Sequence, residues 1–160
     1  MGVRASGAWA GLTASIAGIA QVDIDELDAR GLAEELRDIT AAQNLLETER
    51  IRRVARLDDL DGARVLGHRT SAAFLTFDLG LEPGAAAERV RLARQRGVLG
   101  ATIGAMAGGE IRYEQAAIIS NAAAMLDKRN APTLEGRVLP EARKGMDPVR
   151  LRDFAKRVAD

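Results

Sequence analysis

The sequence predicts an all-α fold: a multi-helix bundle with one long central helix over about residues 29–58 and a helix-turn-helix-like pair over about residues 70–96. Three observations carry this. Apolar residues make up 47% of the 160 but aromatics only 3%, so the interior has to be built from Ala, Leu, Ile and Val. Ala and Leu are strong helix formers, and β-branched runs of strand type are nearly absent. Apolar residues also recur at spacings of three and four. The length suits one helical domain over residues 1–160, able to bury a core without staples, with residues 1–27 as an N-terminal helix and connection.

Ala8 to Ala20 carries Trp9, Leu12, Ile16 and Ile19 at helical spacing, and Trp9 is expected to anchor that helix on the body as core. Asp23 to Asp28 is an acidic connection, with Asp28 placed to cap the long helix. From Ala29 to about Asp58 no Pro, and no Gly after Gly31, interrupts the pattern. Leu32, Leu36, Ile39, Gln43 and Leu46 follow heptad-like spacing, and Ile51, Val54 and Leu57 resume the stripe after a phase shift. Glu34, Glu35 and Asp38 come early and Arg50, Arg52, Arg53 and Arg56 late, which suits the helix dipole. Such a helix spans on the order of 45 Å, long enough to be the spine of a bundle or one arm of a dimeric coiled coil.

Asp58-Asp59-Leu60-Asp61-Gly62 breaks the pattern. Helices are then expected at Thr70 to Leu79, Pro83 to Arg96, Leu99 to Ala107, Arg112 to Asp127, Leu134 to Lys144 and Pro148 to Val158. Gly80 and Gly108-Gly109 supply stops, Pro83 a first-turn proline, and Asp147-Pro148 a cap followed by a proline.

The pair around Gly80 has the parts of a DNA-reading helix-turn-helix, although Thr76, not a small residue, stands four before the glycine. On a helical wheel Ala86, Val90, Ala93 and Gly97 form the buried arc. Arg89 and Arg96 fall on one flank of it, Arg91 and Arg94 on the other. Long side chains in these positions cover a helix seam while keeping their charge in water, and they are also placed to grip phosphates. The residues proposed for nucleic-acid contact are Arg69, Arg89, Arg91, Arg94 and Arg96.

Lys plus Arg number 23 and so do Asp plus Glu, and this balance lacks the basic excess of most free-standing duplex binders. No cysteine is present and His68 is the single histidine, which excludes a disulfide framework and a thiolate zinc site; no metal or cofactor is expected. His68, in a Gly-His-Arg-Thr turn, reads as a capping or surface residue with no triad partners. The acids at Asp58 to Asp61 do not complete an EF-hand, since a twelve-residue loop would end at Arg69 or Thr70. Glu110 and Glu114 suit the start of a helix, and Asn121, inside an apolar run, suits a register-fixing bond in a bundle seam.

At the N-terminus a weak apolar stretch broken by Gly, Thr and Ser argues against a signal peptide. MGVRAS fits the myristoylation pattern with Gly2 as acceptor, but no polybasic second anchor follows. No run approaches the roughly 18 apolar residues a membrane span needs, so the expectation is a cytoplasmic protein without membrane or small-molecule partners.

The run DGARVLGHRTSAAFLTFDLGLEPGAAAERVRLARQ, followed by LGATIGAMAGGEIRYEQAAIISNA and MDPVRLRDFAKRV, resembles the helical N-terminal domain of the actinobacterial thirteen-E-twelve repeat proteins, a domain of unknown function numbered two-two-two. The order of Asp61-Gly62-Ala63, Ser71 to Leu75, Ala87 to Arg94, Ala107 to Ile111, Gln115-Ala116 and Asp147-Pro148 carries the resemblance, from about Leu27 onward. Longer members carry a C-terminal HNH endonuclease module. The resemblance therefore implies a non-catalytic accessory domain that assists DNA binding or targeting. It also implies that this chain matches the N-terminal part of a longer family domain; with no second histidine and no Cys pair, an HNH module is not expected within it. The alternative reading is a protein-interaction or dimerisation module, a homo-oligomer through the long helix, in which the arginines only solvate the fold.

Overall fold

The computed structural model describes residues 5–160, so the acylation pattern at Gly2 lies outside the described residues. Among these residues the chain is helical without strand: α1 (Ser6–Ile19), α2 (Ala29–Asp59), α3 (Gly62–Val65), α4 (Ser71–Phe77), α5 (Pro83–Arg94), α6 (Gly100–Ala107), α7 (Tyr113–Ala123), α8 (Ala131–Arg143) and α9 (Pro148–Ala159). No described helix is long and apolar enough to cross a membrane. The chain divides into two units, one up to Ile39 and one over Thr40–Asp160.

The first unit holds α1, a 3-10 turn at Ile24–Glu26 and the opening turns of α2. Its turns are well specified. The Asp23 carboxylate accepts from the Asp25 N–H at 3.0 Å, and Asp28 accepts from the Gly31 N–H at 2.8 Å, as its expected capping role requires. Yet none of its described residues is buried. Trp9, expected in the core, is 39% exposed. Local spacing makes a stripe, but burial needs a surface to lie against it, and α1 buries nothing.

The second unit is built around α7, in which every residue except Glu114 and Asn121 is buried. α5, α6, α8 and α9 pack around it, and α4 rests on α5. Leu92, Leu99, Met106, Ile119, Leu134 and Leu151 are among its fully buried side chains. The last turns of α2 contribute Ile51 and Val54, with Leu57 half-buried.

Local chemistry sets the helix ends. Thr70 is not the first residue of α4 but its cap, accepting from the Ala73 N–H at 3.0 Å. Gly80, at φ 72°, takes the left-handed turn that ends α4. Asp147 caps α9 by accepting from the Val149 and Arg150 N–H groups. α5 stops at Arg94 and α7 at Ala123, both short of the expected ends, while α8 starts earlier, at Ala131, with a proline in its first turn. One turn of helix, α3, occupies part of what reads as a break.

Buried polar groups hold α7 in place. Gln115 accepts from the Arg112 N–H at 3.0 Å and donates to the carbonyls of Ala142 at 3.1 Å and Met146 at 3.2 Å. Glu135, buried on α8, accepts from the Thr102 N–H at 2.6 Å at the start of α6. Replacing Gln115 by the near-isosteric leucine strands an amide and two carbonyls out of water, each costing about 1–3 kcal/mol less any relaxation. Gln115→Leu is expected to lower unfolding free energy by about 2–4 kcal/mol, read from the urea midpoint at unchanged slope.

Candidate functional site

Four of the five proposed arginines lie on α5 or just past its end; its start is set by Pro83 and by the Glu82 carboxylate accepting from the Ala85 N–H at 3.1 Å. Ala86, Val90 and Ala93 form the buried face as their spacing predicts, joined by Leu92. Gly97 is exposed, because the helix has ended before it.

The arginines of α5 and its C-terminal end reach groups of this chain. Arg89 donates from Nε to Glu47 at 2.6 Å and from Nη1 to the Ala85 carbonyl at 3.0 Å, and its guanidinium lies 4.6 Å from the centre of the Tyr113 ring. Its side chain is only 15% exposed. Arg94 forks onto both oxygens of Asp58, at 2.8 and 2.9 Å. Arg96 pairs with Asp59 at 2.6 Å, and Arg91 donates to the Asn121 side-chain oxygen. Arg69 is exposed on the connection before α4 and makes no ion pair among the described residues.

The structure thus separates the five. Arg91 and Arg94, with Thr70, Gln95, Ala72, Ala87 and Val90, line a cleft of about 360 Å³ between α4 and α5. Arg69 precedes Thr70 in the chain. Arg89 belongs to a different cleft, of about 370 Å³, between α2, α5 and the start of α7, where Gln43, Glu47, Arg50, Arg112 and Tyr113 also stand. Arg96 lines neither of these two.

Tyr113 and Asn121 tie these elements together. The Tyr113 hydroxyl donates to Glu88 at 2.8 Å, and the Asn121 amide donates to the other Glu88 oxygen at 3.0 Å. Asn121 therefore fixes the α5–α7 seam, the role its apolar setting suggests. Burial, then the bond to Glu88, pushes the Tyr113 phenol well above its ordinary range, so it remains a donor. Burial pulls the Arg89 guanidinium down, but Glu47, Tyr113 and Glu88 more than offset this and it rises. The Arg94 hydrogen bond holds Asp58 below the usual carboxylate range, assisted by Ser71.

His68 is more enclosed than a surface residue: its Nε2 lies 2.8 Å from Asp78, and its ring meets Phe74 edge-on. Glu110 pairs with Arg143 at 2.6 Å, whereas Glu114 does sit in the first turn of α7. No cluster of three or more metal-ligating side chains exists among the described residues. Sequence reasoning missed Glu47, Asn44 and Tyr113. The one available signal was a polar pair, Gln43-Asn44, interrupting the stripe of α2.

A scan of family models and searches of curated proteins and solved structures return no match to this chain.

An unfolded-chain aspartate titrates near ~4, and Arg94 lowers Asp58 in the folded chain. The pair therefore contributes fully above that range, and its contribution is lost as pH falls through the lower folded value. Asp58→Asn is expected to cost about 1 kcal/mol at neutral pH and to make the acid loss of stability shallower, measured by urea unfolding at about pH 7 and about pH 3.

Proposed function

We propose that this chain is a non-catalytic assembly module that joins a second copy of itself through its N-terminal unit. One observation carries the reading: no described residue of that unit is buried, although it includes Trp9, Ile16, Ile19, Leu32, Leu36 and Ile39. A 14-residue helix is marginal in water unless an apolar face is covered. Leu32, Leu36 and Ile39 keep the four-then-three spacing of a helical seam, and Leu36 is 63% exposed. A two-fold pairing sets the same stripe against itself and needs no further partner. Covering the exposed portions of these six side chains is worth on the order of 10 kcal/mol per dimer before ordering costs.

A second reading, DNA contact by an accessory domain of an HNH-endonuclease-like protein, is the one the thirteen-E-twelve resemblance implies. The α4–α5 cleft favours it: two guanidiniums and no carboxylate line the opening, with exposed Arg69 alongside. Phosphate would have to displace Asp58 from Arg94 there. The assembly reading is preferred because it draws on an apolar stripe that lies exposed, whereas the phosphate reading has to break the Arg94–Asp58 pair.

Sedimentation equilibrium is expected to show a dimer, and Leu36→Glu to weaken it by at least tenfold, an estimate of about 1.4 kcal/mol or more for a charge placed in an apolar seam. A wild-type chain that stays monomeric at high concentration overturns the assembly reading. For the second reading, duplex binding followed by anisotropy should collapse between about 50 and about 200 mM salt. Arg91→Ala with Arg94→Ala should weaken it and flatten the salt slope at unchanged helicity. Equal affinity in that double variant rules out the cleft.

A further inference from the structure

The cleft between α2, α5 and the start of α7 has features that neither reading uses. Its charged lining is Arg50, Arg89 and Arg112 against Glu47 and Glu114, one positive charge in excess. Glu47 is saturated: one oxygen meets Arg89 at 2.6 Å and the other Arg50 at 2.9 Å. Arg89 is further occupied by the Ala85 carbonyl and the Tyr113 ring. Arg50 keeps donors to spare on a side chain 45% exposed. Arg112 is exposed, and its guanidinium makes no ion pair among the described residues.

The backbone that carries Arg112 is held firmly. Its own N–H is bonded to Gln115 at 3.0 Å, and the next one, of Tyr113, to Asn44 Oδ1 at 2.8 Å. The guanidinium thus extends from a clamped corner into the same opening that Arg50 enters from α2. Leu46 adds an apolar wall, and a volume of about 370 Å³ suits a small ligand.

We propose that this cleft binds a small organic monoanion whose carboxylate is gripped by Arg50 and Arg112 and whose apolar body rests on Leu46. A guanidinium matches a carboxylate through paired N–H donors, and Arg50 and Arg112 are the lining guanidiniums with donors left to offer. A phosphate dianion would bring surplus negative charge beside Glu47 and Glu114.

The test is an amide NMR titration of the full chain with sodium benzoate at constant ionic strength. Saturable shifts are expected at Gln43, Leu46, Arg112 and Glu114. Arg112→Gln should weaken binding about tenfold, as loss of a charge-assisted contact does, and Glu114→Gln should tighten it by removing a repelling charge. Both side chains are exposed and the capping bonds use the Arg112 backbone, so the wild-type spectrum should persist in each variant. Shifts that do not saturate, or equal affinity in Arg112→Gln, overturn the site. Inorganic phosphate moving the same amides at lower concentration than benzoate overturns the carboxylate assignment.

Discussion

Asn44 of α2 and the first residue of α7 meet in the interaction on which the second unit most depends. The Asn44 oxygen accepts from the Tyr113 N–H at 2.8 Å, and its amide reaches the Ile111 carbonyl at 3.2 Å. Those groups belong to a helix start, where backbone donors have no partners of their own. A side chain from one helix thereby completes the end of another. Thr48, a turn further along, points its hydroxyl at the same corner, 3.5 Å from the Met106 carbonyl. With Gln115 closing the other side, the entry to the most buried helix is held by side-chain hydrogen bonds. Packing around α7 can be tight because its starting point is set.

The charged residues extend this logic along α2. Glu47, Asp58 and Asp59 each take an arginine from α5 or its C-terminal end, so the arginines act as struts between helices. Exposed pairs of this type contribute little each, and the half-buried Arg89–Glu47–Tyr113 group matters more because water is largely excluded from it. Equal numbers of acids and bases fit this arrangement. At Arg89, Arg94 and Arg96 a phosphate would have to compete with a carboxylate already in place, whereas Arg91 is held by Asn121.

The two units pose opposite physical problems. The second hides its apolar residues and satisfies its polar ones; Thr102 Oγ1 is the one buried side-chain polar atom without a partner among its described residues. The first has side-chain caps at Asp23 and Asp28 but no buried residue among those described. Helix propensity and capping determine whether a segment can be helical, while burial determines whether it stays so at ordinary temperature. The unit up to Ile39 meets the first condition alone, which is why its exposed stripe carries the functional reading.

By itself the sequence determined the helical class, the limits of α2 to within a residue, the caps at Asp28 and Asp147, the stop at Gly80, and Ala86, Val90 and Ala93 of the buried face of α5. All of these follow from spacing, propensity and bonds spanning a few residues. The wheel set Arg89 and Arg96 on one flank and Arg91 and Arg94 on the other; Arg91 and Arg94 do share a cleft, but Arg96 lies past the end of α5 and does not join Arg89. What only the tertiary structure decided is what each face meets. Arg94 finds Asp58 across 36 residues and Tyr113 finds Asn44 across 69, and no local period encodes such pairings. For the same reason Trp9 is exposed although its spacing marks a buried face, and α7, not the longer α2, is the enclosed helix. Periodicity reports that a face is apolar; only the folded chain supplies, or withholds, the surface that covers it.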